Sequence, residues 1–424
     1  MSIVCNSRSS KMSDNFLPTA TKRNIVIVVS HYADGGVQRR ATVLANSLVS
    51  KGYAVSLLVI NKLDSICPYE RDSKVELLFL ADYITSLSTN TIEALERRLH
   101  WWKRLYRLGK YIPFVGVFVK RCINALTGND KMALCSYFSG KQHSVIVAFN
   151  TRCFDMVSQA IWGLNCKCVF VETGCPEGMD TCNLDVKEAN RRILDRADLC
   201  VFQTLAQKDW YKFDDKGIVI RNPILPSISK QYTGMRRSEI VTFSRTDPGK
   251  NLTLLIDAFK MLLGKYPQYS LKIFGATPSE RSRRHKQELL EHIRDLGIEE
   301  KVSIVPAVAD VHERIVDSAI FVSTSEAEGL SNSMLEAMAL GLPCICTDCL
   351  GGGAREMIMD GENGLLVPRG DKIALYNAML RMLEEPGLAE KCSINAGKVR
   401  ETLSVENITT QWLDAFENKH LWQS

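Results

Sequence analysis

Short apolar runs alternate along the chain with longer stretches of helical periodicity. In the first half the runs at Ile25–Ser30, Val55–Ile60, Val75–Leu80, Val145–Phe149, Cys168–Glu172 and Leu199–Phe202 are rich in β-branched and aromatic residues and predict strands. Helical patterns over Gln38–Lys51 and Val186–Arg196 lie between them. The second half repeats the scheme, with strands expected at Ile240–Phe243, Leu271–Phe274, Val302–Val305, Ile320–Ser323 and Cys344–Thr347. Its helices are expected at Leu252–Lys265, Ser282–Leu296 and Asn332–Leu340. Strands that are apolar throughout and separated by helices imply a parallel sheet covered on both faces. The fold class is therefore α/β, with two doubly wound, Rossmann-like domains in series. The join falls between Arg221 and Met235, where Arg221-Asn222-Pro223 ends a strand and Pro226 opens a polar, aperiodic stretch. The expected plan is a loose tail over 1–22, a first domain over 23–222 and a second over 235–395. A closing segment over 396–424 is expected to form a helix that crosses back to the first domain. Ligands of open α/β sheets bind beyond the carboxyl ends of the strands, so two such domains facing one another make a substrate cleft.

At 424 residues the chain is long enough for two cores of ordinary size. Apolar residues make up 46% and charged residues 24%, the balance of a globular protein in water. No apolar run approaches the length of a spanning helix. Residues 1–22 are rich in Ser and Thr and lack the apolar segment of a signal peptide. Several of the 14 cysteines (Cys168, Cys200, Cys344, Cys346) lie inside strand-like runs, where a thiol behaves as a small hydrophobe. Reduced cytoplasmic thiols are the expectation. The spacings of Cys344, Cys346 and Cys349, and of Cys166 with Cys168, fit no standard zinc pair.

Three stretches carry chemistry. The first strand runs into His31-Tyr32-Ala33-Asp34-Gly35-Gly36, where paired glycines at a strand-to-helix turn allow close approach of a ligand to free N–H groups. The G-x-G-x-x-G of a dinucleotide site is absent there, which counts against a nicotinamide enzyme. In the second domain, Arg245 and Lys250 lie on a loop between a strand and a helix, five positions apart. They suit the two ends of a diphosphate, one as a fork and one as a point charge. The third stretch, Glu328-Gly329-Leu330-Ser331-Asn332 and on to Glu336, Gly341 and Pro343, holds two carboxylates eight positions apart. Ser331 or Asn332 serves as N-cap of the helix, and Gly341 with Pro343 ends it.

These motifs resemble the glycosyltransferases of family 4, retaining enzymes of the two-domain GT-B fold with an E-x7-E signature. The resemblance runs from about residue 24 to 420. It is most specific from Ile240 to Pro368, through S-R-x4-K-N, E-G-L-S-N-S-M-L-E-A-M-A-L-G-L-P and G-G-x-R-E-x4-G-x-N-G-L-L-V. It implies a nucleotide-diphospho-sugar donor, a UDP-sugar by preference, held mainly by the second domain. Arg245 and Lys250 would grip the diphosphate and stabilise the leaving group, with Glu328 at the sugar hydroxyls. Gly329, Leu330, Ser331 and Asn332 would line the turn that meets sugar and phosphate, Glu336 would bind the ribose, and Gly35 and Gly36 would approach the phosphates from the first domain. The catalytic residues implied are Glu328, Arg245 and Lys250, and no cofactor is needed. No D-x-D occurs in the chain, and a cationic pair with a helix N-terminus can stabilise the departing diphosphate, so a metal-independent transfer is expected.

Many relatives carry a histidine after the strand that here ends in Val171-Glu172-Thr173. Glu172, with Thr173 beside it on the acceptor side, either replaces that histidine in polarising an acceptor hydroxyl or caps a loop. His31, on the loop before Gly35, is the one histidine expected near the cleft, and a plain loop histidine is the favoured reading of it.

From Arg97 to Arg121 the chain carries eight Lys or Arg and no acid, interleaved with Trp101, Trp102, Tyr106 and Tyr111. A solvated helix with a buried Trp face, a nucleic-acid site and a membrane-surface segment all use such ingredients. Beside a glycosyltransferase core the stretch points to an anionic membrane surface, contacted through Trp101, Trp102, Lys103, Arg104 and Arg107, and not to nucleic acid. The acceptor implied is a polyprenyl-diphosphate-linked or other lipid-linked saccharide. The expected setting is surface polysaccharide assembly (O-antigen, capsule or exopolysaccharide) at the inner face of the cell membrane. The alternatives are a GT-B transferase with a soluble acceptor and a non-catalytic sugar-nucleotide or membrane-binding protein.

Overall fold

The computed structural model describes residues 24–419 except 34, 64–66, 87–128, 142, 179–189, 194, 213–214, 229–231, 233 and 278. The tail 1–22, the basic stretch with Trp101, Trp102, Lys103, Arg104 and Arg107, and the start of the helix expected at Val186–Arg196 lie outside the described residues.

The first sheet contains β1 (Asn24–Val29), β2 (Ala54–Val59), β3 (Glu76–Phe79), β4 (Val145–Phe149), β5 (Lys167–Val171), β6 (Leu199–Phe202) and β7 (Gly217–Val219). Their order is β3-β2-β1-β4-β5-β6-β7, and every pairing is parallel. The second sheet contains β8 (Arg237–Arg245), β9 (Ser270–Ala276), β10 (Val302–Pro306), β11 (Ser318–Ser323), β12 (Cys344–Thr347) and β13 (Leu365–Val367), in the order β10-β9-β8-β11-β12-β13 and again all parallel. In each sheet the order reverses beside the first strand, between β1 and β4 and between β8 and β11. Loops leaving those strands diverge there and open a crevice. Two Rossmann-like α/β domains of this kind make the GT-B arrangement.

The helices that matter for the site are α1 (Gly36–Ser50), α2 (Leu205–Tyr211), α3 (Leu252–Leu263), α4 (Glu280–Asp295), α5 (Val311–Ile315), α6 (Asn332–Ala339), α7 (Gly353–Met357) and α8 (Val405–Asn418). The alternation of strand and helix follows the sequence pattern closely, because each central strand is apolar on both faces. Ile25 to Val29 are all buried, as are Val145 to Phe149. The three-residue β7 escaped the pattern because Gly217-Ile218-Val219 is too short to carry a period. Strand β8 extends to Arg245, since Ser244 and Arg245 still pair with Gly275 and Ala276 of β9. Arg245 thus ends a strand, where a loop was expected, and Lys250 closes a single 3-10 turn, Pro248–Lys250.

One apolar cluster runs through both domains. It joins Ile25, Ile27 and Val29 of β1 and Leu44 and Leu48 of α1 to Met334, Leu335 and Met338 of α6, and to Trp412 and Phe416 of α8. Helix α8 belongs by sequence to the end of the chain, yet it packs along α1 of the first domain, with Trp412 and Phe416 fully buried. The linker is tied to the same place, where Ile224 N donates to Leu403 O at 2.8 Å. These contacts hold the carboxyl ends of the two sheets toward one another.

Candidate functional site

The second-domain crevice is built from the ends of β8 and β11. Beyond β11 the chain crosses the 3-10 turn: Thr324 Oγ1 donates to Lys250 O at 2.9 Å, and Glu326 N donates to Gly249 O at 2.9 Å. These bonds fix the backbone of Lys250 against the Glu328 loop, and the Lys250 ammonium closes an ion pair on Glu328 Oε1. Ser325 Oγ donates to that same oxygen at 3.1 Å. Burial, and then the charge of Arg245, push the Lys250 ammonium down to about 8 despite its carboxylate partner. Arg245 is exposed and rests its Nε on Asp247 Oδ2 at 3.1 Å. A diphosphate arriving here would meet an exposed cation and a second, withdrawn one already in place.

Helix α6 begins at the end of that loop. Ser331 is its N-cap, with Oγ accepting from Met334 N at 3.4 Å, and Met334 to Ala339 are all buried. A helix buried on every side has no surface for a carboxylate to decorate, so Glu336 needs partners. It has two. Arg39 Nη1 of α1 donates to its Oε1, and His312 Nε2 of α5 donates to its Oε2 at 2.6 Å. Burial alone would raise the Glu336 carboxyl, but the His312 hydrogen bond and the Arg39 charge outweigh it and hold the group below the usual carboxylate range. His312 also packs edge-on against Phe243 of β8, ring centroids 6.0 Å apart.

The first domain presses on the same turn. A Cβ on Gly36 would come 2.5 Å from Asn332 Nδ2, so the N-terminus of α1 meets the side chain that opens α6. Asn332 Oδ1 in turn accepts from Asn222 Nδ2 at 2.7 Å, and Asn222 Oδ1 accepts from Gln203 Nε2 at 2.8 Å. Gly329 is hemmed in likewise: a Cβ there would lie 2.5 Å from Gln207 Nε2, 2.7 Å from Gln203 Oε1 and 2.8 Å from Gly174 O. Further along, Thr204 Oγ1 donates to Gly351 O at 2.8 Å, and Arg221 pairs with Glu356 at 3.1 Å.

The expected site residues therefore fall into groups. Gly35, Gly36, Arg245, Lys250, Glu328, Gly329, Leu330, Ser331, Asn332 and Glu336 come together where the two crevices meet, with the Leu330 side chain turned into the shared core. Glu172 is nearby but faces inward. Its Oε1 accepts from Thr173 N at 2.7 Å and Gly174 N at 2.8 Å, and its Oε2 accepts from Tyr211 OH at 2.5 Å. The carboxylate is thus engaged in shaping the Thr173–Gly174 turn, the loop-capping alternative, and is 98% withdrawn from water, at 2% exposure. His31, the histidine expected near the cleft, hydrogen-bonds Ser30 Oγ at 3.0 Å; the histidine that reaches a site carboxylate is His312. Sequence reasoning missed Arg39, His312, Asn222 and Gln203. Arg39 carried a usable signal, one turn inside the helix that Gly35-Gly36 opens. His312 carried none, because α5 is five residues of mixed polarity. Among the described residues no three His, Cys, Asp or Glu side chains gather into a metal cage, and no helix is long and apolar enough to cross a membrane.

Two crevices closed on one another around cations, carboxylates and helix N-termini define a site for a polar, anionic ligand in a GT-B framework. Residues 228–399 match the family described as Glycosyl transferases group 1. An uncharacterized glycosyltransferase of Haemophilus influenzae is 26% identical over 218 residues, covering 51% of this chain and 60% of that protein. A Campylobacter jejuni relative is 33% identical over 161 residues, covering 38% of this chain and 41% of its own length; its name is N-acetylgalactosamine-N,N'-diacetylbacillosaminyl-diphospho-undecaprenol 4-alpha-N-acetylgalactosaminyltransferase. The chain thus spans about half the length of these curated relatives. The crystal structure of Anabaena Alr3699/HepE in complex with UDP and glucose superposes with a TM-score of 0.70 at 17% identity, covering 93% of this chain and 99% of that one, a likeness of fold.

Proposed function

We propose that the protein is a retaining glycosyltransferase of family 4 that moves a hexosyl or N-acetylhexosaminyl unit from a nucleotide-diphospho-sugar, a UDP-sugar by preference, to a lipid-linked saccharide. The observation that carries this reading is the Lys250–Glu328 pair at the strand ends of the second domain. A donor offers each member what the other now supplies. Its diphosphate takes Lys250 and the exposed Arg245, and its sugar hydroxyls take Glu328 and the N–H groups from Gly329 to Ser331. Glu336 receives the ribose, and Gly35 and Gly36 admit the phosphates from the first domain. Thr173, on the turn that Glu172 shapes, faces the acceptor side.

In the transfer the acceptor oxygen bonds to the anomeric carbon on the face that the leaving group departs. The bond from that carbon to the diphosphate oxygen breaks, and the acceptor's hydroxyl proton passes to the departing phosphate. Arg245, Lys250 and the N-terminus of α6 stabilise the charge that develops there, without a metal or cofactor. The lipid-linked acceptor is supported by the diphospho-undecaprenol in the Campylobacter relative's name and by the basic aromatic stretch at 97–121, which suits peripheral attachment to the inner membrane face. Surface polysaccharide assembly is the setting that joins the two.

Incubating the protein with radiolabelled UDP- and GDP-sugars and a lipid-diphosphate-saccharide acceptor should yield an extended lipid product. The product should vanish with Arg245→Ala and with Glu336→Ala. Transfer that survived both changes would reject the site.

A further inference from the structure

We propose that Arg39 is an internal stand-in for the donor's ribose, an autoinhibitory contact by which the first domain holds the cleft shut on Glu336. The inference rests on the reading of Glu336 as the ribose carboxylate and adds a cost to reaching it. Glu336 has two oxygens and both are taken, Oε1 by Arg39 and Oε2 by His312. The two partners differ in where they belong. His312 sits on α5 of the second domain and moves with Glu336, whereas Arg39 projects from α1 of the first domain, 297 positions away in the chain. Both members of the cross-domain pair are shielded, with side chains 13% and 8% exposed, so water competes for them weakly. A guanidinium seated on Oε1 leaves no room there for a vicinal diol.

The neighbouring contact turns this occupancy into a gate. At the N-termini of α1 and α6 a methyl group on Gly36 would strike the Asn332 side-chain amide, which Asn222 Nδ2 holds at 2.7 Å. A diphosphate cannot lie between them until the helices part. Parting them draws Arg39 off Glu336, because the two residues ride on those same helices. Donor entry and loss of the Arg39–Glu336 pair are therefore one event, and the pair's free energy opposes binding. The Lys250–Glu328 pair lies within one domain and exerts no such brake on opening.

Calorimetric titration of the whole protein with uridine and with UDP separates the possibilities, using the natural chain, Arg39→Gln and Arg39→Lys. Uridine carries the ribose without phosphates. The latch predicts that Arg39→Gln binds both ligands at least about fivefold more tightly, with Arg39→Lys between. It also predicts a larger radius of gyration for unliganded Arg39→Gln in solution scattering, at an unchanged far-ultraviolet spectrum. Weaker UDP binding with unchanged uridine binding would make Arg39 a phosphate ligand and overturn the latch. Equal binding by all three proteins would overturn it too, while leaving the donor site standing. Binding of neither UDP nor GDP to any of the three would sink the donor reading and the latch together.

Discussion

Lys250 yields a quantitative test of the donor site. Its ammonium titrates at about 8 in the empty protein, held down by burial and by Arg245. A bound diphosphate would set at least two negative charges against it and return it toward the ordinary 10.5. Above pH 8 the empty site has released a proton that the complex must take back. At pH 9 about 10% of empty sites remain protonated, so binding should draw in about 0.9 proton per nucleotide, against about 0.1 at pH 7. The same arithmetic weakens UDP binding about tenfold between pH 7 and pH 9, about 1.4 kcal/mol. Calorimetry in two buffers of different ionisation enthalpy reads the uptake directly. The Cys349 thiol, which also faces Lys250, is lifted by burial to about 11 and stays out of this window. Stability should move the opposite way. A lysine whose folded value lies below 10.5 opposes folding while charged, so the empty protein should gain stability from this residue as pH rises from about 8 to 10.5. Binding that is flat with pH, or proton uptake that persists in Lys250→Met, would refute the assignment.

Two further changes test how the domains are held. Trp412→Ala removes a fully buried indole between α8 and α1 and should cost about 3–5 kcal/mol in urea unfolding, whereas a loss under about 1 kcal/mol would mean that α8 does not seat against the first domain. Gly329→Ala forces a methyl group against Gln207, Gln203 and Gly174 of the first domain and should lower kcat at least about tenfold; unchanged turnover would show that the closed contact is dispensable.

Much of the fold was legible because each central strand is apolar end to end, and such runs admit few placements other than the interior of a parallel sheet. The second-domain site was legible for a related reason. Arg245, Lys250 and Glu328 all lie within a few residues of a strand's carboxyl end, where topology alone delivers side chains to the crevice. What stayed hidden depends on how elements far apart in the chain pack together. Nothing local in Val311–Ile315 marks His312 as a partner of Glu336, which lies 24 positions further along the chain. Glu172 shows the converse. Its place after β5 was plain, but the inward turn of its carboxylate toward Thr173, Gly174 and Tyr211 depends on α2, whose tyrosine lies 39 positions further along the chain. Arg39 lies between these cases, its helix evident and its partner not.

The charges of the site share one property that sequence spacing does not convey: each is matched by another side chain before any ligand arrives. Lys250 holds Glu328, Arg245 rests on Asp247, and Glu336 is shared by Arg39 and His312. Unmatched charges as withdrawn as those of Glu336 and Lys250 would cost several kcal/mol each, so the empty state needs these partners in order to exist. A ligand entering such a site gains only the difference between its own contacts and those it displaces. Affinity is then governed less by the number of contacts than by how completely one molecule can replace all three pairings at once. A nucleoside alone replaces one of them, and a sugar alone replaces part of another. Only a molecule carrying ribose, diphosphate and sugar in series meets every displaced group, which makes the paired ground state a device for selecting the intact donor over its fragments.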